Sequence, residues 1–156
     1  MLNPDYRDML SALSEARAEY LLVGAYALAS HGLVRATLDM DLWVRATPEN
    51  AHRVHAALLA FGAPAERFDA SDLTADDTVL QLGVAPVRID ILTSISGVDF
   101  EAAWERRQVV ELDGLSVAVM SLEDLATNKR ATGRPQDLVD LQWLEDRREG
   151  RSPPAL

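Results

Sequence analysis

Residues 21–44 read LLVGAYALASHGLVRATLDMDLWV, and the fold is decided by how that stretch changes period. The apolar run from Tyr20 to Val23 stops at Gly24, the pattern of a buried strand closed by a turn. AYALASHG follows with strong helix formers and reaches Gly32, a helix stop. MDLWVRA then alternates, with Met40, Leu42 and Val44 on one side and Asp41, Trp43 and Arg45 on the other. That is the period of a half-buried strand. Strand, helix and strand in immediate succession describe an α/β domain.

The rest of the chain extends the same alternation. The first 19 residues read as a helix with Met9, Leu10 and Leu13 as its apolar stripe. Thr47, Pro48 and Glu49 mark a helix start, a capping hydroxyl followed by proline at the first helical position. That helix carries Val54, Leu58 and Phe61 and ends at Gly62, after which residues 63–77 read as an acidic loop. VLQLGV and VRIDILTSI are two strands joined by a turn at Ala85 and Pro86, and ELDGLSVAVM contains a hairpin turn at Asp113-Gly114. Ser121 with Asp124 resembles a capping box opening a further helix, which Gly133-Arg134-Pro135 breaks. PQDLVDLQWLEDRRE is a last helix with Leu138, Leu141 and Leu144 on one face. We expect one mixed α/β (α+β) domain over residues 1–150, a short central sheet flanked by helices, and a tail over 151–156.

Composition narrows the function classes. The chain has 156 residues, 48% hydrophobic and 26% charged, which is ordinary globular usage. It has no cysteine, so disulfides and thiolate metal sites are excluded. No stretch approaches the roughly 18 apolar residues of a membrane span, and the N-terminus lacks a signal-like apolar run; the expected location is cytoplasmic. Fifteen Lys and Arg against 25 Asp and Glu give a net charge of −10. With no basic run, nonspecific gripping of nucleic acid is not expected. A small anionic substrate stays admissible, because a divalent cation reverses the sign of an acidic pocket locally.

The chemistry concentrates in TLDMDLWV. Alternation along a strand puts Asp39 and Asp41 on one face, roughly 7 Å apart. Carboxylates so placed repel unless something positive lies between them, and magnesium (or manganese), a hard cation that prefers oxygen ligands, suits the gap. In VRIDIL the residues Val87, Ile89 and Ile91 form one apolar face, leaving Asp90 on the other with Arg88. An acid in an otherwise apolar strand is expensive to bury alone. Placed beside the first strand, Asp90 would complete a three-carboxylate cluster suited to two-metal phosphoryl or nucleotidyl transfer. Upstream, the Gly24-Ala25 turn begins a helix whose free N–H groups would face the strand ends, as a phosphate site requires or as an ordinary strand-to-helix turn does.

These elements together resemble the opening signature of the polymerase-β-type nucleotidyltransferases, and more narrowly the small prokaryotic enzymes of the toxin–antitoxin and abortive-infection (AbiEii-like) group. In that group a strand and glycine turn lead through a helix to R-x-T-x-D-h-D, which Arg35, Thr37, Asp39 and Asp41 match. VRIDIL matches the later strand with the third acid, and LEDLATNKRATGRPQDLVDLQWLE resembles the closing helical segment. The resemblance implies a nucleoside triphosphate as substrate, with Asp39, Asp41 and Asp90 as metal ligands and catalytic acids. It implies Gly24, Ala25, Arg35, Thr37 and Lys129 near the nucleotide. It also implies transfer of a nucleoside monophosphate to a protein, an RNA end or a small molecule, and it admits a protein partner of toxin–antitoxin type. Ala25 stands where the superfamily usually has Ser or Gly, and it offers the triphosphate no hydroxyl. A catalytically weak, antitoxin-like module is therefore the alternative reading. Arg35 reads equally as a phosphate contact or as the partner of an acid, and Lys129 and Arg134 equally as site residues or as a solvated helix face. His31 is expected to satisfy a carbonyl, Trp43 to lie in the core, and Trp104 and Trp143 to pack helices.

Overall fold

A computed structural model describes residues 2–34, 39–84 and 87–150. The first helix, α1 (Pro4–Glu15), is capped by the Asn3 side chain and starts with proline. It is shorter than the 19 residues expected, because Arg17 takes a left-handed backbone and turns the chain. Its buried stripe is Tyr6, Met9, Leu10 and Leu13, the spacing of one helix face. Strand β1 (Tyr20–Val23) follows, and then a short helix, α2 (Gly24–Ser30). Strand β2 (Asp39–Val44) comes next, and α3 (Pro48–Phe61) is capped by Thr47 and ended by left-handed Gly62.

Residues 63–77, expected as loop, include two short 3-10 helices, Ala65–Arg67 and Ala70–Thr74. The Asp69 and Asp72 side chains close the second one reciprocally, a local device without hydrophobic period. Strands β3 (Val79–Val84) and β4 (Val87–Leu92) pair antiparallel; the turn expected at Ala85 and Pro86 lies outside the described residues. β4 ends at Leu92 rather than at Ile95, which makes only an isolated bridge to Val98. Helix α4 (Phe100–Glu105) comes next, then the hairpin of β5 (Gln108–Leu112) and β6 (Leu115–Val119). Its Asp113-Gly114 turn has positive φ at both positions, 49° and 81°, the backbone that a two-residue hairpin favours. Helices α5 (Leu122–Thr132) and α6 (Pro135–Arg148) close the domain and pack on each other.

The six strands form one sheet in the order β3-β4-β2-β1-β6-β5. β2 is antiparallel to β1 and parallel to β4, and β1 is parallel to β6. The core runs along both sides of the central strands: Leu21, Leu22, Met40, Leu42, Val44 and Ile91 are fully buried.

Two expectations about packing are revised. In α6 the buried face is Asp137, Asp140, Trp143, Leu144 and Asp146, while Leu138 is exposed. Asp137 and Asp140 are drawn inward because α5 presents Lys129 to them, while Asp146 accepts from Gln142. Asp124 does not close a capping box either. Its carboxylate is gripped by Arg106 and also accepts from the Ser121 hydroxyl, while Ser121 caps the Asp124 N–H. Trp43 is core, as expected, with its ring edge-on to Phe100 at 5.0 Å. Trp104 stacks on Phe100, and Trp143 is buried beneath Arg147.

Candidate active site

The parallel pairing of β2 with β4 sets Asp39 opposite Arg88 and Asp41 opposite Asp90. Side chains two apart on a strand share a face, so the pairing gathers three acids and one arginine on one face of the sheet. Adjacency of Asp90 to the first pair, which the sequence could pose only as a condition, is thus met by register. Asp90 is buried, whereas Asp39 and Asp41 are partly exposed.

Arg88 organises the cluster. Its Nη2 donates to Asp39 Oδ2 at 2.7 Å and to Asp90 Oδ2 at 3.2 Å, and its Nε donates to Asp90 Oδ1 at 3.1 Å. Asp41 stands directly opposite Asp90 in the strand pairing. Burial, and then the charges of Asp90 and Asp39, push the Asp41 carboxyl up to about 6, against a smaller opposing pull from Arg88.

Gly24 fits this cluster from the end of β1, where Val23 pairs with Asp41. Its φ is +67°, and a Cβ at this position would lie 2.3 Å from Asp41 Oδ2. Only glycine satisfies both the backbone and the approach. Ala25 follows in the first turn of α2.

One phenol borders the acids, and a second packs against it. Tyr6 donates its hydroxyl to the Arg88 carbonyl at 3.2 Å, and its ring meets Tyr26 edge-on at 5.5 Å. Burial, then the neighbouring Tyr26, and in smaller part Asp39 and Asp41, raise the Tyr6 phenol; burial raises that of Tyr26. Sequence reasoning missed Tyr6 as a neighbour of the site, and it placed Arg88 there without its bonds. Tyr6 continues the stripe of Met9, Leu10 and Leu13, which marks core; a contact 82 positions away leaves no periodic trace.

Lys129 is held between helices. Its ammonium lies 3.2 Å from Asp137 Oδ1 and 3.2 Å from Asp140 Oδ2. Arg134 Nε donates to Asp137 Oδ2 at 2.7 Å, and together these cations hold the Asp137 carboxyl well below the usual range. His31 is buried and donates Nε2–H to the Met120 carbonyl at 2.9 Å, the satisfied role expected of it. Arg35 and Thr37 lie outside the described residues.

The donor chemistry suits a hard divalent ion: crowded carboxylate oxygens, one of them reluctant to ionise without a positive neighbour. The disposition of Asp39 does not yet suit it. Among the described residues no three acidic, histidine or cysteine groups converge so as to hold a metal, and Asp39 is bonded to Arg88. Among the same residues no helix is long and apolar enough to cross a membrane.

The architecture has a counterpart among solved structures. A protein from Thermotoga maritima described as a candidate nucleotidyltransferase superposes with a TM-score of 0.58 at 18% identity, covering 97% of each chain. At that identity the likeness is one of fold. No curated protein matches the chain. The family model described as "Nucleotidyltransferase of unknown function (DUF6036)" matches residues 6–145, from the tyrosine beside the acids to the last turns of α6. The chain belongs to that nucleotidyltransferase family.

Proposed function

We propose that the protein moves a nucleoside monophosphate from a nucleoside triphosphate to an acceptor hydroxyl at the Asp39, Asp41 and Asp90 cluster, with magnesium or manganese as its ion. The observation that carries this reading is the register that sets Asp41 beside Asp90, with Gly24 packed against Asp41. Asp41 and Asp90 would hold the ion, joined by Asp39 once it leaves Arg88. When bound, the ion supplies charge neutralisation for the triphosphate and the departing pyrophosphate. Asp90 accepts the proton of the acceptor hydroxyl as that oxygen bonds to the α-phosphorus and the bond to pyrophosphate breaks. The turn at Gly24 and Ala25 offers backbone N–H groups, not a side chain, to the phosphates. Arg35 and Thr37 keep the phosphate-side roles implied by their motif. Lys129, by contrast, is engaged by Asp137 and Asp140, which supports a role in joining α5 to α6.

The acceptor is a protein or small hydroxylated molecule rather than a polyanion. A net charge of −10 repels nucleic acid and attracts a cationic acceptor. The narrower kinship with toxin–antitoxin enzymes belongs to this proposal as well. A second reading, a non-catalytic module that binds a protein partner, is favoured by Ala25 and by the engagement of Asp39 with Arg88.

Calorimetric titration of each nucleoside triphosphate, with and without magnesium, separates the two readings. Magnesium-dependent binding that disappears in Asp39→Ala/Asp41→Ala protein is expected for the transferase. No binding in either protein, together with a stoichiometric protein partner on co-purification, would establish the module instead.

A further inference from the structure

We propose that Arg88 is a built-in counter-cation that keeps Asp39 out of the metal site, so that a divalent ion is admitted only by displacing the guanidinium. The inference rests on the metal-dependent reading above and concerns how that site is loaded.

The geometry is specific to arginine. One guanidinium bonds Asp39 at 2.7 Å and both oxygens of Asp90 at 3.1 and 3.2 Å, so it spans the first and third acids. A planar fork of five donors can bridge two carboxylates, whereas an ammonium is a point charge that cannot hold both in the same way. The backbone fixes the arrangement: Arg88 faces Asp39 across the β2–β4 pairing, and Asp90 faces Asp41 in the next shared-face register. Without a positive group here, the chain would have to hold three adjacent carboxylates against their own repulsion. Arg88 therefore does in the metal-free protein part of what an ion would do.

The bonds that make this possible also compete with metal. Asp39 cannot direct the same lone pairs at Arg88 and at an ion. The Arg88 and Asp39 side chains are each 33% exposed, so the guanidinium has solvent to swing into without disturbing the core. Once released, it carries a bidentate donor pair suited to phosphate oxygens, at the same mouth where the triphosphate would lie.

The test is Mn²⁺ binding without nucleotide, read from the electron paramagnetic resonance signal of the free ion. The proteins are wild type, Arg88→Met, Asp39→Asn, the Arg88→Met/Asp39→Asn double variant, and Asp41→Asn. Arg88→Met is expected to bind Mn²⁺ about tenfold more tightly than wild type, the equivalent of about 1.4 kcal/mol. Asp39→Asn should change affinity less than about threefold alone but should cancel the gain in the double variant, the signature of coupled sites. Wild-type affinity equal to or tighter than that of Arg88→Met overturns the inference, as does an Asp39→Asn loss of the same size in both backgrounds. Those results leave the metal reading standing if Asp41→Asn still abolishes uptake. Absence of Mn²⁺ uptake by every folded protein removes the metal reading and this inference together. Should Arg88→Met fail to fold by circular dichroism, Arg88→Lys takes its place. It keeps the charge but not the span, and the same comparison is expected with a smaller gain.

Discussion

Gly24 shows how one residue ties the chain trace to the chemistry. Its left-handed backbone turns β1 into α2, and the missing Cβ leaves room for Asp41. Gly24→Ala should therefore destabilise the protein by about 1–3 kcal/mol in urea denaturation, from the left-handed conformation alone, and should weaken Mn²⁺ uptake by moving Asp41. An alanine variant with native stability and native uptake would refute the packing argument. Asp41 itself carries a pH signature. Its folded carboxyl is raised to about 6 from 3.8, so the folded state holds the proton more tightly than the unfolded chain. Stability from this group is present below pH 4 and lost as pH rises through 6. Asp41→Asn should thus abolish metal-dependent transfer while raising metal-free stability at pH 7.5 by about 1–3 kcal/mol, with the gain fading toward pH 4. Thermal melts at the two pH values, in chelator, decide this; a variant less stable than wild type at pH 7.5 contradicts it.

The α5–α6 corner is an element-scale device. Asp137 is fully buried and gripped by Arg134 and Lys129, which hold its carboxyl low. A lowered acid contributes stability that is complete above its ordinary range near 3.8 and lost as pH falls through the folded value. Asp137→Asn should cost about 3 kcal/mol at pH 7, because Lys129 loses one of its two counter-charges and Arg134 loses its partner. The difference from wild type should shrink in acid, where the wild type loses the same pairing. A constant difference from pH 7 down to pH 3, measured by chemical denaturation, would mean that packing rather than charge sets the cost. The same corner explains why the leucine spacing of α6 misleads. Leu138 lies outward so that Asp137 can face Lys129, an exchange of apolar for paired-ionic burial that no single-helix pattern announces.

For the whole molecule, an ion that binds only the folded state must stabilise it by mass action. At ten times its dissociation constant, Mg²⁺ or Mn²⁺ should add about 1.4 kcal/mol. The shift should be absent in Asp41→Asn and enlarged at equal ion concentration in Arg88→Met. Calcium-free, chelator-treated protein provides the baseline in a thermal shift series; an ion-independent melting temperature would count against the site. The net charge carries its own expectation: no duplex DNA binding at about 150 mM salt, since a chain at −10 is repelled by the phosphate backbone. Retention on a DNA column at that ionic strength would contradict it.

The strand–turn–helix–strand order around Gly24, the half-buried alternation of β2, the Asp113-Gly114 hairpin and the proline-started helices were all legible in the chain. Each is local: a period of two or near 3.6, a capping hydroxyl, or a glycine where φ must be positive. Asp39 and Asp41 were legible for the same reason, because sharing a strand face needs no partner. Sequence likewise determined the net charge and the absence of cysteine, which removes disulfides and thiolate metal sites. Only the tertiary structure decided that β4 lies parallel beside β2 in the register that sets Asp90 against Asp41. It alone showed that Arg88 bridges Asp39 and Asp90, that Tyr6 reaches the site from α1, and that Lys129 is committed to Asp137 and Asp140. The physical reason is common to all of these. Contacts between residues far apart in the chain depend on which strands pair and in what register, and that choice is made by burial summed over the whole core rather than by any local pattern.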